Sequence, residues 1–471
     1  MEAPSPSRSH LRWLWFAARL ALVAALVWFY YAGAAEHART VNVSRVRADQ
    51  SGYLWDAVAV YRNWHRLNVP PQLVGERNRM PLYPGLLALF YDPRLSPDEF
   101  FDVGKRVNIQ LSLVLLALLA VLFRRHLPPL VSTNLILVTA FGYFVFRAGY
   151  TQAELLFGFL FFVTFLTCCY LLKRRDPAPS LGLGLLAGLL AALSHLTKAA
   201  MLPFMAVFLA VYGLRELWLL RRGMALQEAR IRRTALARFS WRVVAAAVLL
   251  VSFFGVLSPY LSNSKRVFGR YFYNVNTTFY VWYDDWPQAS VGTYRHGDGV
   301  GWPRMPRKEI PSFRSYLRSH TAKQIAARLG DGFAEMVTVS YRFHWYMKFV
   351  ALYVVFALLL IAKNRQPFAR VIRDNLAIFV FLSLYAAVYL LGIAFYKPTG
   401  TTTSRFLLPH LAPLLFVLSS LFVRAPFSRT EWHPAGVTIT SAHVHLLVLA
   451  TIGMDVVFTV WSRLMSLYSG F

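Results

Sequence analysis

The sequence predicts an all-α polytopic membrane protein, and three observations carry that prediction. Hydrophobic residues make up 57% of the 471 positions, aromatics 16% and charged residues only 15%, a balance outside the soluble globular class. Apolar runs as long as a bilayer span, about 20 residues, recur along the whole chain. Short clusters of Arg and Lys separate alternate runs, the pattern that orients a protein in a membrane.

The runs lie near 13–33, 107–123, 129–146, 154–172, 181–197, 199–219, 243–261, 347–362, 375–395, 406–423 and 443–461. They give roughly eleven transmembrane helices. If all of them cross, the basic clusters fall on one side: Arg8/Arg12, Arg124/Arg125, Lys173 to Arg175, Arg221 to Arg242, Lys363 to Arg373 and Arg424/Arg429. The positive-inside rule makes that side cytoplasmic, so the N-terminus is inside and the C-terminus outside. The first run also has signal-peptide features, with Arg8 and Arg12 ahead of it and Ala-Gly-Ala at 32–34 resembling a cleavage site. It is long for a signal peptide's apolar region, and the alternation counts better if it stays, so we read it as a span.

Two long segments, 34–106 and 262–346, then face outward. They are the places with room for a site in water. No repeat or low-complexity tract marks a second domain, so 1–471 reads as one membrane unit. Cys168 and Cys169 are adjacent inside an apolar run, without disulfide-framework or metal-ligand spacing.

The net charge of +28 does not point to nucleic acid, because the basic residues are divided among inter-span segments and form no soluble basic domain. Membrane lipids and an anionic ligand are the partners it implies. The outer segments are themselves basic, with Arg45, Arg47, Arg62, Arg66, Arg77, Arg79, Lys105 and Arg106 in the first and Lys265, Arg266, Arg270, Arg304, Arg307 and Lys308 in the second. Long loops escape the positive-inside rule. Attraction to phosphates and attraction to anionic headgroups both explain this charge.

Several constellations are candidates for chemistry. After Asp49, residues Tyr53, Ala57, Val60, Tyr61 and Trp64 repeat at helical spacing, which predicts a helix lying in the interface. Asp49 at its start reads either as an N-cap or as an ionised carboxylate able to take a proton from an acceptor hydroxyl. Asp56 shares its face and reads as a surface charge. The stretch 76–91 reads as a second short surface helix entered by a rigid Pro81/Pro84 turn, where Arg77 and Arg79 either hold phosphate oxygens or snorkel. Glu154, in the tight outer turn 146–158, reads as a helix cap or a site acid.

His195 and Lys198 stand in an apolar hairpin near the outer face, where ionisable groups are costly and usually functional; His195 alone also fits a packed neutral core. Lys397 and Arg405 flank the start of a late span, where a lipid phosphate would meet a cation and free backbone N–H groups together. In 271–286, aromatics alternate with Asn274, Asn276, Asp284 and Asp285, which suits sugar rings as well as an interfacial aromatic belt.

Five features in this order resemble the GT-C superfamily of integral membrane glycosyltransferases. They are the Asp of "ADQSGYLWDA" after the first span, the surface helix "RMPLYPGLLALFY", Glu154 in the second outer turn, the "LTK" hairpin and the late "SRFLLPHLAP". The similarity is to the branch of lipid A aminoarabinose transferases and protein O-mannosyltransferases. Juxtamembrane helices outside the membrane and a bacterial inner (plasma) membrane location are implied. So is inverting transfer of a sugar from a polyprenyl-phosphate donor to a glycan, lipid or protein acceptor at the extracytoplasmic face.

On that resemblance Asp49 is the general base. The resemblance also implies that Arg405 and Lys198 hold the donor phosphate and that Glu154 helps shape the acceptor or metal site; the residues themselves add Arg79 and Lys397 as candidate phosphate ligands and Asp284, Asp285 and His195 as candidates for the acceptor or metal site. The outer loops carry no clean Asp-x-Asp pair where the family has one, so a divalent metal cofactor lacks support. The large soluble C-terminal domain of some members is absent, which leaves acceptor recognition to the loops, chiefly 262–346. A transporter or flippase of a phosphorylated lipid is the main alternative; it usually shows pseudo-symmetry and midplane charges. A non-catalytic lipid-binding protein is the third, and it would tolerate loss of Asp49.

Overall fold

The computed structural model describes residues 8–64, 79–173, 178–296, 306, 309–343, 346–396, 406–433 and 436–466. They are almost entirely helical, apart from a short antiparallel pairing of Glu431–Trp432 with Ile439–Thr440: α1 (Arg8–Thr40), α2 (Gln50–Trp64), α3 (Leu82–Ala88), α4 (Pro97–His126), α5 (Pro129–Ala148), α6 (Glu154–Lys173), α7 (Ala178–Thr197), α8 (Met201–Met224) and α9 (Ala229–Phe268). The second half holds α10 (Trp286–His296), α11 (Phe313–Ser319), α12 (Ala322–Phe343), α13 (Met347–Lys363), α14 (Arg365–Asp374), α15 (Leu376–Tyr396), α16 (Leu411–Phe422) and α17 (Ser441–Phe458).

Nine of the helices among the described residues are long and apolar enough to cross a bilayer, so the protein is a multi-pass membrane protein. Every predicted run coincides with a helix. The two that fall short are α13, which breaks by 105° into α14, and α16, with 12 residues. None of the residues of α14 is buried, as befits a basic amphipathic helix lying flat on the membrane surface after a span.

Packing in lipid relies on close backbone approach. Gly184 and Gly188 of α7 face α9 so tightly that a Cβ would lie 2.5 Å from the Ala245 carbonyl oxygen and 2.3 Å from that of Leu249. On α12 only one residue in four is buried, Arg328, Gly332, Met336 and Ser340; this stripe meets the end of α15, where Gly332 abuts Ala394.

The functional question concerns one end of the bundle. The turn 149–153 joins α5 to α6 there, and α2, α3, the start of α4 and the end of α7 pack around it. Ser96 opens α4 with a capping box to Glu99. The opposite helix ends carry Arg124, Arg125, Lys173, Arg221, Arg222 and Lys363.

Candidate functional site

Buried amides hold the turn in place. Asn42 Nδ2 donates to the Gly149 carbonyl at 2.8 Å and to Gln50 Oε1 at 2.9 Å. Gln50 Nε2 returns a bond to Asn42 Oδ1 at 2.8 Å, and the Thr151 N–H donates to Gln50 Oε1 at 2.9 Å. Asn108 Nδ2 donates to the Ala148 carbonyl at 3.1 Å and its Oδ1 accepts from the Tyr83 hydroxyl at 3.1 Å. An amide suits this place because it offers donors and an acceptor without charge. Lys105 Nζ donates to the Ala38 carbonyl at 2.8 Å, where the C-terminal end of α1 favours a cation. The turn and the end of α5 are thereby tied to α2 and α4, and α4 in turn to α1 and α3.

Gln50 follows Asp49 in the chain. Asp49 ends a 3₁₀ turn, Arg47–Asp49, with φ at 68°, while its side chain is exposed. A non-glycine residue in the left-handed region costs about 1–2 kcal/mol, and an ordinary N-cap has an extended backbone instead. Strain of this kind collects at functional positions because the surrounding structure has to enforce it. The next residue, Gln50, is held by Asn42 and by the Thr151 N–H.

Two buried ion pairs follow. Lys198 Nζ donates to Glu154 Oε1 at 3.3 Å, and the Phe406 ring lies 5.0 Å from the same ammonium. Glu154 is the deeper partner, with a side chain 3% exposed against 18% for Lys198. Glu154 is the first residue of α6, and Lys198 extends the last turn of α7 through its N–H bond to the Ser194 carbonyl. Three segments distant in sequence thus meet at one ammonium group.

The second pair joins α2 to the segment before α3. Arg79 Nε donates to Asp56 Oδ2 at 3.0 Å, with side chains 14% and 13% exposed. The guanidinium lies flat against Gly52, where a Cβ would stand 2.1 Å from its Cζ; any larger residue there would push the guanidinium aside. Asp56 is therefore no surface bystander, contrary to the reading from its helix face. Spacing along α2 could not reveal that a residue 23 positions away folds back over it. Burial pushes the Asp56 carboxyl up, and Arg79 offsets this only in part.

The two pairs share aromatic neighbours. Arg79 stands 6.0 Å from the Tyr53 ring, which meets Tyr83 edge-on at 5.3 Å. Burial, then Tyr53 and Glu154, push the Tyr83 hydroxyl well above its ordinary value. Met80, next to Arg79, is buried against Tyr260, Leu196 and Ala199, so this segment also docks on the hairpin carrying Lys198.

Other candidates lie elsewhere. His195 is 1% exposed and walled by Phe253, Tyr260 and Phe272, with ring centroids 5.6 to 6.3 Å away. It faces α9, whereas Ser194 faces α6 through Thr164. Asp284 accepts from Arg328 Nη1 at 3.3 Å and lies 3.1 Å from His320 Nε2. Arg328 also donates to the carbonyls of Phe395 and Val281, so Asp284 belongs to a clamp between α12 and the end of α15. Asp285 receives the Gln288 N–H at 2.8 Å near the start of α10, the work of a helix cap. Lys397, Arg405 and Arg77 lie outside the described residues.

Among the described residues no three His, Cys, Asp or Glu side chains stand together as a metal ion's ligands would. Comparison of the chain with family models, curated proteins and solved structures finds no match.

Sequence reasoning missed Asn42, Gln50 and Asn108, whose signal was amides at the edges of apolar runs. It also missed the ion pair between Lys348 and Asp455, which links α13 to α17. An acid inside the last apolar run was the available signal.

Proposed function

We propose that the protein is a membrane glycosyltransferase that moves a sugar from a polyprenyl-phosphate carrier to an acceptor hydroxyl at the extracytoplasmic face, with inversion. The observation that supports it most is Lys198, a partly accessible cation at the membrane end of α7 with an aromatic ring beside it, at the same end of the bundle as the strained, exposed Asp49. The positive-inside rule makes the opposite, Arg-rich helix ends cytoplasmic.

In the reaction the acceptor oxygen attacks the anomeric carbon from the face opposite the phosphate, and its proton passes to the Asp49 carboxylate. The bond from that carbon to the phosphate oxygen breaks, and its electron pair leaves with the phosphate. Lys198, with Arg405 and Lys397, stabilises the charge that develops there. A phosphate leaving group needs little help from an acid, which agrees with a single base. The alternative of a flippase or transporter is favoured less, because Lys348 and Asp455 stand near the ends of α13 and α17 and transport sites sit at the midplane.

The test is release of polyprenyl phosphate by the protein in nanodiscs, supplied with polyprenyl-phosphate sugars and cell-envelope acceptors. Asp49→Asn is expected to lower turnover by about 100-fold or more, the usual worth of a general base, while carrier binding persists. Turnover at the normal rate in that variant would remove Asp49 from the role.

A further inference from the structure

We infer that Glu154 is the resting ligand of Lys198, displaced when the phosphate of the carrier arrives, whereas the Asp56–Arg79 pair stays closed and belongs to the scaffold. The inference rests on the proposed transfer from a polyprenyl phosphate and gives Glu154 a role in it other than acceptor or metal ligand. It also removes Arg79 from the phosphate ligands.

Three observations separate the pairs. Glu154 is nearly fully buried, with a side chain 3% exposed, while that of Lys198 is 18% exposed, so the pair meets its surroundings through the lysine and not through the carboxylate. Second, Glu154 opens α6, where unsatisfied N–H groups and the helix dipole favour negative charge. When Lys198 turns to a phosphate, the carboxylate left behind still has compensation. Third, Asp56 sits inside α2, six residues beyond Gln50, with no helix end to support it. Its partner Arg79 is packed on Gly52 and beside Tyr53, so opening that pair would strand a buried charge, which proteins avoid.

The exchange has a consequence for affinity. A carboxylate that competes for Lys198 weakens phosphate binding, so removing its charge strengthens it. The full-length protein in phosphatidylcholine nanodiscs is titrated with citronellyl phosphate, a short isoprenyl phosphate, and with citronellol and inorganic phosphate for comparison. Glu154→Gln is expected to bind citronellyl phosphate roughly tenfold more tightly than the wild type, within the range of close charge-pair couplings. Glu154→Asp is expected to fall between them, and serves if the Gln variant does not fold. Lys198→Met is expected to lose at least roughly tenfold, and adding Glu154→Gln to it to change nothing further. Citronellol should bind more weakly than the phosphate, and a gain by inorganic phosphate alone would place the anion without its lipid.

Unchanged or weaker binding in folded Glu154→Gln, or no binding of citronellyl phosphate by the wild type, overturns the inference. Turnover assayed in parallel separates it from the reading beneath it. Tightening without any sugar transfer leaves the exchange standing and sinks the transferase, and transfer without tightening does the reverse.

Discussion

Asp56–Arg79 and Glu154–Lys198 are both largely buried acid–base pairs on the same end of the bundle, each has an aromatic ring beside its cation, Tyr53 for Arg79 and Phe406 for Lys198, and each joins segments distant in sequence. They differ in where the acid sits. Asp56 lies within a helix and among the described residues is paired with Arg79, while Glu154 stands at a helix start that favours negative charge. They differ also in the cation. Arg79 is a planar fork laid flat over Gly52, whereas Lys198 is a point charge on a flexible stem. The same chemistry thus serves as a fastener in one place and as a replaceable contact in the other, and the local backbone decides which.

The largest effect expected from breaking this comparison is on stability at the first pair. Arg79→Met leaves Asp56 buried and uncompensated, and should cost about 3 kcal/mol, read as a lower melting temperature in detergent. Adding Asp56→Leu should recover most of that loss, because an apolar pair of similar volume replaces the ions. No recovery would mean that the pair does more than fasten α2. Gly52→Ala should come next, at about 1–3 kcal/mol, since the guanidinium must move to admit a methyl group. A neutral result would show that Arg79 is not held as described.

Smaller still is a pH effect. Because burial raises the Asp56 pKa, the native state holds this proton more tightly than the unfolded chain does. The contribution is complete below about pH 4, the ordinary aspartate range, and is lost as pH rises through the raised value. Melting temperature measured over that window should fall with rising pH in the wild type, and Asp56→Asn should remove that part of the slope. A slope that survives the substitution assigns it to another group.

Much of the fold was legible because hydrophobic length and basic punctuation report directly on the bilayer. The predicted runs match helices, and two fall short, α13 because the chain bends by 105° into α14 and α16 because it has 12 residues. The site was legible residue by residue but not as an assembly. Glu154 and Lys198 each stood out as ionisable groups at the edge of apolar spans, yet nothing in spacing shows that they bond. Asp56 was misjudged because helical periodicity assigns a face without revealing what covers it. Gln50 was hidden beside a more conspicuous acid, although its two-sided hydrogen bonding ties the start of α2 to the turn that precedes α6.

The most direct test of the account compares Lys198→Met with Arg79→Met for melting temperature and for release of polyprenyl phosphate from a polyprenyl-phosphate sugar, in the same nanodiscs. The account predicts that Lys198→Met loses transfer while melting near the wild-type temperature, and that Arg79→Met melts lower yet keeps transfer at temperatures where it remains folded. Equal losses of stability in both, or full transfer by Lys198→Met, would contradict it.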